Sequence, residues 1–400
     1  MNLPLFAKPA TPQPGIALFN LGFRPFFLGA GIFAILAMAL WMGVYLFQLP
    51  VPMTGISYFQ WHAHEMIYGF SLAVIAGFLL TAVKNWTGVQ TLHGFSLLAL
   101  FALWALPRIL FLFGTRFMVI ASLLDLLFLL GLTVAVAYPV FKVKQWRQIG
   151  ILAKLALFIV TSGFFYLGIT GVLEPGVYWS LYGGLYLIIG LILTMGRRVI
   201  PFFVEVGVGY PVKLFNAKWI DGSSLALYLA FFIVAVFMHE PRLLALLAAG
   251  LFVILSIRLI GWHTVGIWKK PLLWSLFIAL FFIDLGFLLV ALSGFLNLSA
   301  MPVIHAFSYG GIGLMTLSMM TRVSLGHTGR NVQEPPRAMT LAFGAMMVGT
   351  VVRVFLPLID PAHYPIWIGL SQLLWIIAFA IFIILYAPIL IKPRIDGQFG

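Results

Sequence analysis

Two imidazoles, a carboxylate and a thioether crowd the segment Trp61-His62-Ala63-His64-Glu65-Met66, at the start of an apolar run long enough to cross a bilayer. Ionisable side chains are costly in lipid and mark functional positions there. Imidazole, carboxylate and thioether together are the donor set of a metal centre. The segment also has an echo: His64, Tyr68, Gly69, Thr87 and Gly88 recur at identical spacing as His305, Tyr309, Gly310, Thr328 and Gly329. The expectation is a metal site framed by two histidine-bearing helices inside a membrane.

Helical geometry divides the residues of the motif. Successive residues turn by about 100°, so His62 and His64 point roughly 200° apart and belong to different surroundings. His62 shares a face with Glu65 and Met66, and a His/Met pair with no competing thiolate suits copper. His64 shares a face with Tyr68. With His305 at an equivalent depth, His64 could hold one face of a haem iron and His305 the other, as in a noncovalent b-type haem. Arg108, Arg116 and Arg353 fall on the same side of the membrane and could pair with the propionates. Glu65 and Tyr68 are the candidate proton-handling, catalytic groups. For each residue a plainer reading competes: interfacial histidines bonded to headgroups or water, and arginines that snorkel.

A second group, His263 in Gly261-Trp262-His263 and His327 in Arg322-Val323-Ser324-Leu325-Gly326-His327, lies toward the opposite face. It suggests either another metal centre or a structural hydrogen-bond cluster. Asp125, Arg258 and Asp284 fall inside spans, and Arg258 and Asp284 on adjacent helices are expected to pair. Met315, Met319 and Met320 read as packing before ligation. His93, His239 and His363 receive no role.

The elements that carry these residues follow from composition. With 63% hydrophobic and 8% charged residues among 400, and a mean hydropathy of +1.11, the chain cannot cover itself with a water-soluble surface. Apolar runs between charged or Gly/Pro-rich breaks predict an all-α integral membrane protein of twelve spans, starting near 25, 59, 93, 117, 149, 178, 222, 242, 271, 301, 337 and 365. Residues 1–24 would form an N-terminal segment, 25–391 one transmembrane domain and 392–400 a tail. The absence of cysteine excludes disulfides, covalent haem attachment through CxxCH and cysteine-ligated iron–sulfur clusters.

A net charge of +13 would suggest nucleic acid in a soluble protein. Here its distribution sets topology instead. With a cytoplasmic N-terminus, one side collects 18 of the 23 lysines and arginines, Lys8 among them, and the other only Arg108, Arg116, Arg242 and Arg353, with Arg258 left inside a span. Both termini are therefore expected in the cytoplasm, with His62, His64 and His305 near the outer face. The first 20 residues lack the apolar core of a cleavable leader.

An interval of four helices separates His64-x3-Tyr68-Gly69, Tyr178-x3-Tyr182-Gly183 and His305-x3-Tyr309-Gly310. Such a repeat suits three four-helix units about a pseudo-threefold axis. Histidines on helices two and ten resemble haem-copper oxidases and respiratory nitric-oxide reductases in architecture. The chain departs from those enzymes in having no histidine on the sixth span and no adjacent His-His pair.

Six blocks carry a closer resemblance: Leu18 to Phe27, Trp61 to Met66, Gly77 to Gly88, Gly261 to His263, Pro271 to Trp274 and Arg322 to Arg330. Together they resemble the NnrS family. The resemblance implies a haem- and copper-containing bacterial inner-membrane protein associated with nitric oxide and nitrosative stress. The leading expectation is a redox protein that binds nitric oxide and reduces it to nitrous oxide, drawing on an unidentified electron donor, with lipid as its surroundings and no nucleic-acid partner. A membrane transporter or metal-handling protein is the runner-up, and a haem-based nitric-oxide sensor the third reading.

Overall fold

A computed structural model describes residues 15–51, 55–238, 240–296 and 298–400; Lys8 and His239 lie outside them. Regular structure among the described residues is entirely helical. Twelve helices are long and apolar enough to cross a membrane: α1 (Phe23–Phe47), α2 (Tyr58–Thr87), α3 (Gly94–Phe113), α4 (Met118–Lys142), α5 (Trp146–Ile169), α6 (Gly176–Gly207), α7 (Lys218–Phe237), α8 (Pro241–Trp262), α9 (Pro271–Ser293), α10 (Ala300–Gly326), α11 (Ala338–Ile359) and α12 (Pro361–Ile391). The chain is a multi-pass membrane protein. Every span starts within four residues of the sequence expectation, the widest differences being at Lys218 and Pro361. Residues 392–400 do not trail away: Arg394 Nη1 donates to the His327 carbonyl at 3.0 Å, which holds the tail against the end of α10.

Burial separates inner from outer helices. The most apolar stretches of α2 and α10 are 83% and 78% buried, against 33% for α3, α4, α8 and α12. The two histidine-bearing helices are thus interior elements, and α2, α6 and α10 all touch one another. Around them α1 packs on α12, α12 on α11, α9 on α8, α6 on α5 and α4 on α3.

A capping box sets the register of α2. Ser57 Oγ accepts from the Gln60 N–H at 3.2 Å, and Gln60 Oε1 accepts from the Ser57 N–H at 3.0 Å. The first turns are α-helical as far as His64, and π-helical turns then run over Glu65–Ser71. In α10 the same change follows His305, with π-helical turns over Ala306–Gly313. A π turn inserts an extra residue into the helical ladder and re-aims the side chains around it. The Tyr68 hydroxyl donates to the Ser180 carbonyl at 2.9 Å and covers Gly184, where a Cβ would lie 2.8 Å from the phenolic oxygen. The Tyr309 hydroxyl donates to the Ser371 carbonyl at 2.7 Å and covers Gly349 in the same way. The sequence echo is therefore a repeated packing device: a tyrosine on π-helical turns, set over a glycine of a neighbouring helix.

One expected ion pair is replaced by two separate arrangements. Arg258 bonds Asp221 at 2.9 Å and Ser224 at 3.0 Å, while Asp284 accepts from Ser256 at 2.6 Å. Adjacency of α8 and α9 brings the helices together but leaves the two side chains turned to different neighbours.

Candidate functional site

A cavity of about 320 Å³ opens between α1, α2, α6, α10, α11 and α12, within the size range of ligand sites. Its walls are largely apolar and aromatic, with His62, His305, Arg353, Tyr364 and Gln372 among its polar members. Met66 and Met301 bring thioethers to the same space. The cavity thus gathers residues from both histidine helices.

His62 enters from α2. Its ring stacks on Trp41 of α1, centroids 4.7 Å apart and planes 9° from parallel, and its Nδ1 is buried with no partner among the described residues. His305 enters from α10, and its neighbours define which nitrogen carries the proton. Arg353 Nη2, which can only donate, stands 3.2 Å from Nε2, so Nε2 is the lone-pair side and Nδ1–H donates to the Met301 carbonyl at 2.7 Å. A ring fixed through one nitrogen by a backbone carbonyl, with its lone pair on the other, is the usual outer-shell arrangement of a metal-bound histidine; here that lone pair meets Arg353, which must turn aside before a metal can bind.

His64 lies elsewhere. Its ring sits 4.2 Å from that of Phe165 and 5.3 Å from that of Phe111, its Nδ1 bonds Glu65 Oε1 at 2.9 Å, and its Nε2 is 3.9 Å from Asp125 Oδ2. Arg108 pairs with Asp125 and lies 3.2 Å from Glu65 Oε1, and the Tyr166 hydroxyl donates to Asp125 at 2.5 Å. All five side chains are buried. This network between α2, α3, α4 and α5 takes up three groups that the sequence directed to a haem or to catalysis: His64, Glu65 and Arg108. His64 is not among the residues that line the cavity His305 enters. Equal spacing in the repeat fixes depth, but position 306 is alanine where position 65 is glutamate, and the Arg108 and Asp125 charges hold the α2 histidine on the far side of its helix.

The remaining candidates scatter. Tyr68 is committed to Ser180 and does not line the cavity. Arg116 is exposed beside the Phe117 ring, whereas Arg353 is the arginine that faces the cavity. His263 accepts from Trp268 Nε1 at 3.0 Å, and His327 packs its ring 5.8 Å from that of Phe23, so the two lie in different settings. Trp41, Tyr166 and Gln372 escaped the sequence reading. Gln372 had a legible signal, a lone amide inside a long apolar span; Trp41 and Tyr166 had none beyond their type.

A family model described as NnrS protein matches residues 17–394. The chain belongs to the NnrS family. No curated protein matches the sequence. NnrS membership suggests a role in the response to nitric oxide, and the family's association with haem and copper can be tested against the donors present. They fit. His305 offers an oriented neutral imidazole, His62 an unpartnered buried nitrogen, and Met66 a thioether. Among the described residues of this NnrS chain no three His, Asp or Glu converge on a metal position.

Proposed function

We propose that this NnrS protein is a haem- and copper-binding redox protein of the bacterial inner membrane that takes nitric oxide into the cavity between α2 and α10 and reduces it to nitrous oxide. The observation that carries the reading is His305: its Nδ1–H is anchored on Met301 and its Nε2 is turned to a cavity that also holds His62 and Met66. His305 would hold haem iron, and His62 with Met66 would hold copper. Bound there, haem and copper supply a binding point for nitric oxide and a one-electron path to it.

The chain's own residues do the rest. Apolar walls admit a small, neutral, lipid-soluble substrate without an aqueous channel. Arg353, bonded to Tyr364 at 3.4 Å and to His305 Nε2 at 3.2 Å, brings to the cavity a cation that would exchange the imidazole for a haem carboxylate when His305 holds iron. Trp41 fixes the plane of His62, and Met301 fixes that of His305. Two nitric oxide molecules give one nitrous oxide and one water, with two electrons drawn from a donor protein and two protons from bulk water; both termini face the cytoplasm on the 18 to 4 distribution of cationic residues.

An optical spectrum and metal analysis of the purified protein, followed by anaerobic nitric-oxide consumption after reduction, test the proposal. A haem spectrum with copper and turnover supports it; tight nitrosylation without turnover would leave a binding protein or sensor, and a colourless protein would favour a carrier.

A further inference from the structure

Gln372 lies on α12 eight residues beyond Tyr364, roughly 12 Å deeper along the helix at 1.5 Å per residue. It lines the cavity, is 3% exposed, and neither its Oε1 nor its Nε2 has a partner among the described residues. An amide buried without hydrogen bonds is unfavourable, and native proteins rarely leave both ends of one unpaired. The polar groups around it are already committed. Tyr309 donates to the Ser371 carbonyl, Ser371 Oγ to the Ile368 carbonyl, and Trp375 Nε1 to the Ala34 carbonyl. Arg353 is engaged with His305 and Tyr364.

On the α12 wall of the cavity, Gln372 therefore offers an uncommitted donor and acceptor together, one residue from Ser371 and three from Trp375. We infer that Gln372 is the hydrogen-bond partner of the small ligand that enters this cavity, its amide N–H donating to the ligand's outer atom. The assignment rests on the haem reading of the same cavity. It explains a feature that packing does not, since leucine or methionine would fill the position without an unpaired amide. It also gives the cavity a preference for a diatomic with a partly negative outer atom over an inert apolar gas.

The test uses reduced full-length protein with carbon monoxide as the probe. An N–H donated to bound carbon monoxide weakens the C–O bond, so Gln372→Leu should raise the C–O stretching frequency and speed carbon monoxide release by about tenfold, the effect of one lost hydrogen bond. Without ligand, Gln372→Leu should melt at the same temperature as the parent or higher, because it removes an unpaired buried amide. If Gln372→Leu does not insert stably, Gln372→Met, unbranched and close in length, carries the same measurements. A parent protein that shows haem, with stretch and release unchanged in the variant, overturns the inference alone. So does a variant that melts well below the parent without ligand, which would make Gln372 structural. A parent protein with no haem absorbance removes the site reading and the inference with it.

Discussion

Trp41 lies flat against His62 at 4.7 Å, while His64, two residues further on, faces Phe165 at 4.2 Å on the opposite side of the same helix. One short motif therefore serves two places, a cavity and a buried ionic network. The stack restricts the His62 ring to one plane. Trp41→Ala should loosen it and lower bound copper by about tenfold, in the range seen when an outer-shell support of a metal ligand is lost. Copper analysis of the purified variant measures this, with haem content expected to stay unchanged.

The ionic network should matter to stability more than to cofactor content. Arg108→Leu leaves Glu65 and Asp125 buried without their cation, and removing one partner of a buried pair costs about 3–5 kcal/mol. Thermal melting in detergent should show a large drop. Adding Glu65→Gln and Asp125→Asn to Arg108→Leu should recover much of it, because the uncompensated charges are then gone.

The two repeated tyrosines should behave as independent copies of one device. Tyr68→Phe removes a bond to α6 and Tyr309→Phe a bond to α12, each contributing about 1 kcal/mol. Their effects should add, since the partners Ser180 and Ser371 lie on different helices. Gly184→Ala and Gly349→Ala should be worse, by about 1–3 kcal/mol each, because a methyl group there meets the phenol ring. Equilibrium unfolding of the single and double variants tests both statements.

The C-terminal tail should respond to acid. Two hydrogen bonds from Arg394 hold the Asp396 carboxyl down to about 2, below the ordinary carboxylate value near 3.8. The same guanidinium donates to the His327 carbonyl, so Asp396 holds in place the side chain that ties the tail to α10. A depressed folded value contributes order that is full above the ordinary value and is lost as pH falls through about 2. Asp396→Asn should loosen the tail at neutral pH, and Arg394→Ala, which also removes the bond to His327, should free it further. The chain has no native cysteine, so a single cysteine placed at Gln398 reports release by its labelling rate.

How much of this was legible depends on the kind of physics involved. The twelve spans follow from apolar run length, because the bilayer sets the length of any helix that crosses it. The separation of His62 from His64 follows from 100° per residue and needs no tertiary knowledge. The partner of each ring was another matter. His64 and His305 share register and depth, yet the partner of His64 is set by Arg108 and Asp125, which arrive from α3 and α4. Arg258 illustrates the same limit: sequence order makes α8 and α9 neighbours, but the cation turns to Asp221 of α7. The π-helical turns carried no separate sequence mark, although Gly69 and Gly310 occupy matching places within them.

The central claim is that His62 and His305, and not His64, face the cavity proposed to hold haem and copper. Haem and copper quantified on purified His62→Ala, His64→Ala and His305→Ala test it most directly. The account predicts that His305→Ala loses haem, that His62→Ala loses copper in preference to haem, and that His64→Ala keeps both while melting at a lower temperature. Loss of haem from His64→Ala together with its retention in His305→Ala would contradict it.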